Sequence, residues 1–188
     1  MKIIDEIRRY TPCCEQEERD KTVILDYLEK HPEEAFERSD LIAHMTASAW
    51  IVNRERTKVV MVYHRIYDSW SWTGGHADGE RDLLAVALRE CREETGLHHV
   101  RPVSDGIFSL EVLTVDGHEK RGAYVPSHLH LNVTYLLEAD EDEELQVCEE
   151  ENSGVKWFTL HDALRASTEP WFVERIYKKL NDKLEKLK

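Results

Sequence analysis

Glu90, Glu93 and Glu94 stand at i, i+3 and i+4, the spacing that sets side chains along one edge of a helix, within a few Å of each other. Three carboxylates so close repel and raise one another's pKa. A hard divalent cation removes that penalty, and carboxylates with water are the ligands Mg²⁺ prefers; Mn²⁺ accepts the same oxygen donors. Arg89 lies four before Glu93 and can hold it by a charged hydrogen bond. A glycine pair, Gly74-Gly75, precedes this group in what reads as a Gly-rich loop through Glu80. His128-Leu129-His130 sets two imidazoles on one face of a strand, which suits joint metal or phosphate contact as well as a polar strand face with no ligand. His44 could meet the same site or be an exposed histidine, His76 is expected to shape the glycine loop, and Arg65 is a candidate phosphate contact. Trp70-Ser71-Trp72 can stack on a ligand, although core packing of aromatics is the commoner use.

The elements that must position these groups follow from periodicity. Glu15 to Lys30 places Val23, Ile24, Tyr27 and Leu28 at helical spacing and stops at His31-Pro32. His44 to Val52 and Lys58 to Tyr63 read as two strands around the polar turn Asn53-Arg54-Glu55-Arg56. The acidic helix has Asp82 near its start and Gly96 just past its end, where a left-handed cap is expected. Its core face is read as Leu84, Ala87, Leu88, Cys91 and Thr95. Gly106 to Val115 alternates and ends at the turn signal Asp116-Gly117, and His128 to Glu138 is a further strand. Residues 138–151 read as a solvated acidic loop, Val155 to Leu160 as a last short strand, and Trp171 to Leu187 as a terminal helix. Strands around an embedded helix predict an α/β (α+β) sandwich.

The chain has 188 residues, 38 acidic against 25 basic, a formal net charge of −13. Such a balance gives no pull on nucleic acid or an anionic membrane. An anionic substrate therefore needs a local reversal of sign, which bound cations supply. No apolar run approaches the ~20 residues of a membrane helix, and the opening MKIIDEIRRY lacks a secretory signal; a cytoplasmic location is expected. Cys13, Cys14, Cys91 and Cys148 form no paired CxxC framework. Adjacent Cys13 and Cys14 could bind metal or oxidise, but reduced structural thiols are the expectation.

Glutamate-rich helices are commonly just solvated faces. However, Arg89, Glu90, Glu93, Glu94 and Gly96 together would arise by chance in roughly one in a thousand chains of this composition, and Gly74-Gly75 at its distance lowers that further. The segment resembles the Nudix box, a leading Gly followed by Arg-Glu, an apolar residue, any residue, Glu-Glu, any residue, Gly and an apolar residue. Gly75, Arg89, Glu90, Cys91, Glu93, Glu94, Gly96 and Leu97 occupy those places. One position departs: the glutamate six after the first glycine would fall on Arg81, with Glu80 one place early.

The resemblance implies a mixed sheet between helices, with residues 1–40 as an N-terminal helical extension and residues 41–188 as a Nudix hydrolase domain. It implies Mg²⁺-dependent cleavage, with Mn²⁺ as a substitute, of a diphosphate linkage in a nucleoside diphosphate joined to another moiety. Glu90, Glu93 and Glu94 carry over as metal ligands, with Glu93, Glu94 and Arg89 among the catalytic residues and Gly75 as a backbone contact. The general base is expected from the loop Glu149-Glu150-Glu151, with Glu151 favoured. Two other readings exist on this fold. An isopentenyl-diphosphate isomerase needs a cysteine and a glutamate on opposite faces of its substrate, and no cysteine begins a strand near the box. A nucleotide-binding sensor would tend to lose the glutamates, which this chain retains.

Overall fold

The computed structural model describes residues 2–65, 68–120, 122–149 and 152–187. Two helices come first, α1 (Lys2–Arg9) and α2 (Glu15–Lys30), then a 3-10 turn, Glu34–Phe36. Strands β1 (Ala43–Val52), β2 (Lys58–His64), β3 (Ser69–Ser71) and β4 (Thr73–His76) lead into helix α3 (Leu83–Thr95). Beyond it lie β5 (Val100–Pro102), β6 (Ser109–Val115), β7 (His118–Lys120), β8 (Ala123–Val125), β9 (His128–Ala139) and β10 (Asn152–Thr159). The chain closes with α4 (Leu160–Ala166), α5 (Pro170–Phe172), a π-helical turn over Val173–Tyr177, and α6 (Lys178–Glu185).

The main sheet runs β10-β2-β1-β9-β5, with β3 on β2, β4 on β1 and β6 on β9. β1 and β9 pair in parallel from Ala43↔Leu129 to Val52↔Glu138, and the other pairs are antiparallel, so the sheet is mixed. Strand alternation divides β1 between two cores. Ala43, Met45, Ala47, Ala49 and Ile51 cluster with Ile7, Ile24 and Leu28 of α1 and α2 and with Val86, Ala87 and Cys91 of α3. Trp50 and Val52 join Ile176, Tyr177, Leu180 and Leu184 of the C-terminal helical stretch. The outcome is the α/β sandwich expected of the sequence. Among the described residues no helix is long and apolar enough to cross a membrane.

Three local differences have clear causes. Gly74 and Gly75 lie in strand β4, paired Ser48↔Gly74 and Ala47↔Gly75, rather than in a loop. Strand β6 begins at Ser109 rather than Gly106, and the turn signal Asp116-Gly117 leads from it into the small β7–β8 pair. The terminal helix is interrupted by its π turn, which places Ile176 and Tyr177 inward.

One polar network is buried across the sheet. Thr46 and Ser48 hydroxyls donate to the Asn132 carboxamide oxygen (2.9 and 3.0 Å), whose NH₂ donates to Glu111 (3.0 Å). The Lys179 ammonium of α6 donates to Glu111 at 3.0 Å and lies 3.4 Å from Glu17 of α2. Lys183, the Cys13 backbone N–H and the Tyr10 and Ser109 hydroxyls also donate to Glu17.

Candidate active site

Helix α3 is set at both ends by its own sequence. The Asp82 side chain accepts from the Ala85 N–H (3.2 Å), and Gly96 takes the left-handed φ of 74° that a side chain would strain. The buried face comprises Leu83, Val86, Ala87, Cys91 and Thr95, while Leu84 and Leu88 are only half-buried. The helix is thus rotated toward Leu83 and Val86 relative to the sequence-based face. That rotation carries Glu94 inward to 4% exposure. Glu90 retains 12% side-chain exposure, and Glu93 faces solvent.

The glycines serve close approach. A Cβ on Gly75 would land on the Glu90 carboxylate, and one on Gly74 would come within 2.8 Å of the Ala47 carbonyl. The β4 backbone therefore forms a floor on which the Glu90 carboxylate rests. Arg89 fixes that arrangement, donating from Nη2 to Glu90 Oε1 (2.8 Å) and to the His76 carbonyl (3.2 Å). The expected Arg89–Glu93 pairing is replaced by this Arg89–Glu90 ion pair, because Glu93 turns to solvent while Glu90 turns toward β4. The intervening loop uses left-handed backbone at Asp78 (φ 48°) and Gly79 (φ 85°), with the Arg38 guanidinium bound to both Asp78 oxygens.

The oxygen donors fit Mg²⁺ in kind. Two carboxylates withdrawn from solvent one helical turn apart, Glu90 held by Arg89 and Glu94 further along, supply hard oxygen ligands. Their oxygens are not drawn into one tight triad. Among the described residues the sets of three donors within 4.8 Å of one another are His44/His76/His130 and Cys13/Cys14/Glu17. Mg²⁺ keeps several waters and needs only one or two direct carboxylates, so the wider spacing suits it.

The histidines form a second group. His128 Nε2 lies 3.2 Å from His130 Nε2, and the His44 ring is stacked on His128 with centroids 4.8 Å apart. The His76 ring meets His130 at 4.8 Å. Burial, then the neighbouring imidazoles of His76, His44 and His128, pushes the His130 pKa down to about 2. His44 is likewise lowered, first by burial. Both shifts favour the neutral form of His130 and His44. Arg65 is exposed and donates to the Asn152 carbonyl (3.3 Å) at the head of β10. Glu151, the expected base, lies outside the described residues.

The NUDIX domain model matches residues 43–180. The chain belongs to the Nudix family. The same architecture is found in the crystal structure of a C. elegans Ap4A hydrolase binary complex (19% identity, TM-score 0.52, covering 76% of this chain and 96% of that one). A NUDIX-family hydrolase from Clostridium perfringens is similar (20% identity, TM-score 0.53, 77% and 98% covered), as is the Nudix hydrolase RenU from M. smegmatis (14%, 0.55, 77% and 88%). At these identities the likeness is one of fold. No curated protein sequence matches the chain.

As a Nudix enzyme the chain is a hydrolase of phosphoric anhydride bonds. Its departure from the Nudix pattern has a local explanation. Arg81 donates to the Pro32 carbonyl (3.1 Å) and lies 4.7 Å over the Phe36 ring, tying the box to the 3-10 turn. Glu80 accepts from the Asp82 N–H (2.8 Å) and so helps start α3. Trp72 is 8% exposed and packs edge-on to Phe172 and Tyr177, in the core. The sequence reading offered His44 as a companion of His128-Leu129-His130 or as an exposed histidine, and gave His76 only a loop-shaping role. Only the pairings His44↔His130 and Thr46↔His76 bring them together.

Proposed function

We propose that this Nudix chain is a Mg²⁺-dependent pyrophosphohydrolase, with Mn²⁺ as a substitute, acting on a nucleoside diphosphate linked to another moiety. The observation that carries this reading is the Glu90 carboxylate seated on Gly75 and held by Arg89, with Glu94 buried one turn further along. In this reading Glu90, Glu93 and Glu94 hold the cation, Arg89 keeps Glu90 turned toward β4, and the Gly75 backbone borders the diphosphate. A bound cation neutralises the diphosphate and favours ionisation of water. Glu151 takes the proton from the attacking water, and Arg65 contacts the outer phosphate. The catalytic unit is residues 41–188, with residues 1–40 as its helical extension.

The thiol chemistry favours hydrolysis over isomerisation. Cys91 lies in the core, where burial pushes its thiol up to about 12, so it is neither accessible nor ionised. Incubating the protein and Mg²⁺ with dinucleoside polyphosphates, nucleoside diphosphate sugars and isopentenyl diphosphate, followed by ³¹P NMR, separates the two. Hydrolysis converts a diphosphate signal to monoester signals. An isomerised product that retains its diphosphate would refute the proposal.

A further inference from the structure

Beyond the hydrolase site, four imidazoles converge on the other side of β4. Successive strand residues point to opposite faces. Gly75 turns its Cα to Glu90 and α3, so His76, the next residue, turns away. Its register partner is Thr46, and His44, two residues before Thr46 on the same face of β1, pairs with His130. His128 is two before His130 on β9, and its ring joins theirs.

Backbone carbonyls orient two of these rings. His44 Nδ1 lies 2.9 Å from the Asp40 carbonyl, and His128 Nδ1 lies 2.8 Å from the Pro126 carbonyl. A carbonyl only accepts, so each Nδ1 carries the proton, which leaves Nε2 as the nitrogen that can offer a lone pair to the cluster. His44 Nε2 is buried, in a residue only 4% exposed, and has no hydrogen-bond partner among the described residues. A buried nitrogen left without a partner is a destabilising feature that a bound ligand would remove. Carbonyl-bound Nδ1–H with an inward Nε2 lone pair is the arrangement that supports an imidazole metal ligand.

We infer that His44, His76, His128 and His130 form a binding site for one imidazole-preferring divalent transition metal, Zn²⁺ by its donor set, separate from the carboxylate site on α3. Ligand nitrogens around a tetrahedral Zn²⁺ lie about 3.4 Å apart, from Zn–N bonds of about 2.1 Å. The 3.2 Å between His128 and His130 Nε2 already has that spacing. The nitrogens of His44, His76 and His130 lie within 4.8 Å of one another, a spread that small ring rotations close. A phosphate is the poorer occupant, since an anion needs donors while His44 and His128, their Nδ1–H groups turned to backbone carbonyls, offer acceptor nitrogens to the cluster. The metal would stitch β1, β4 and β9 together directly behind Gly75.

The probe is Co²⁺ or Zn²⁺ alone, added to chelator-treated full-length protein. A Glu90→Gln/Glu94→Gln chain is used alongside wild type, so that the α3 carboxylates add nothing to the signal. Both chains are expected to take up one Co²⁺ with visible d–d absorption of a nitrogen-ligated tetrahedral ion and no thiolate charge-transfer band. Zn²⁺ should raise the melting temperature of both. His130→Asn and His44→Asn should each weaken uptake by at least ~100-fold, an expectation for losing one of four ligands. Should either variant fail to fold by circular dichroism, His128→Asn, at a half-buried position, reads the same loss. Three results would overturn the inference: no uptake by wild type, uptake that survives the histidine substitutions, or a thiolate band abolished by Cys13→Ser, which would place the metal on Cys13, Cys14 and Glu17.

Discussion

Gly75 and Glu90 define the site at the scale of single residues. Gly75→Ala puts a methyl group where the Glu90 carboxylate lies. The carboxylate must move, and kcat is expected to fall ~100-fold or more while circular dichroism remains native, since an interaction needed in the transition state is lost rather than the core. Arg92→Ala, at an exposed position on the same helix, should stay within a few-fold. Equal loss in both variants would show that the inner edge of α3 has no special role. Glu90, Glu93 and Glu94 were legible because helical spacing is local information. Which of them turns inward was not, because that depends on how α3 rolls on β1 and β4. The Arg89 partner was misassigned for the same reason, as i, i+4 reach cannot compete with a neighbour pinned by β4.

At the scale of elements, the caps of α3 and the bounds of α2 and β1 follow from local chemistry: Asp82, Gly96, His31-Pro32 and the β-branched and aromatic run to Val52. β4 was hidden. Glycine has little strand propensity, and Gly74 and Gly75 are in a strand only because β1 pairs with them and tolerates nothing larger. The helix face is directly testable. Leu83 is 1% exposed, so Leu83→Ala should cost roughly 2–5 kcal/mol in urea unfolding. Leu84→Ala, half-buried, should cost about 1 kcal/mol. The reverse order would restore the face read from sequence periodicity alone. The imidazole cluster likewise was partly legible: His128 and His130 sit two residues apart and His44 was open to joining them, whereas His76 arrives only through the register of β4 on β1.

Across the whole molecule, Lys179 joins the two ends of the chain through Glu17 of α2 and Glu111 of β6. Lys179→Met would leave the fully buried Glu111 without its cation and Glu17 with Lys183 alone, and should cost roughly 3–5 kcal/mol. Burial alone would raise the Glu17 pKa, but the Cys13 N–H, Lys179, Lys183 and Tyr10 outweigh it and hold the value near 2, against an ordinary 4.5. A carboxylate whose folded pKa is depressed stabilises fully above its unfolded pKa and loses that contribution as pH falls through the folded one. Urea midpoints should therefore drop between about pH 4.5 and pH 2, and Glu17→Gln should flatten the profile across that window. An unchanged slope in Glu17→Gln would assign the acid sensitivity elsewhere. No sequence pattern announces this network, since its partners come from α2, β6 and α6.

On the proposed function, acidic side chains on α3 hold the cation required to cleave an anhydride bond. The most direct test is hydrolysis of a nucleoside diphosphate compound by chelator-treated protein, with Mg²⁺ then titrated back, in wild type and Glu94→Gln. Activity should vanish without metal and return with it in wild type. Glu94→Gln should recover ~100-fold less at saturating Mg²⁺, as expected when a metal ligand loses its charge but not its volume. Undiminished turnover in chelator, or full recovery by Glu94→Gln, would contradict the account.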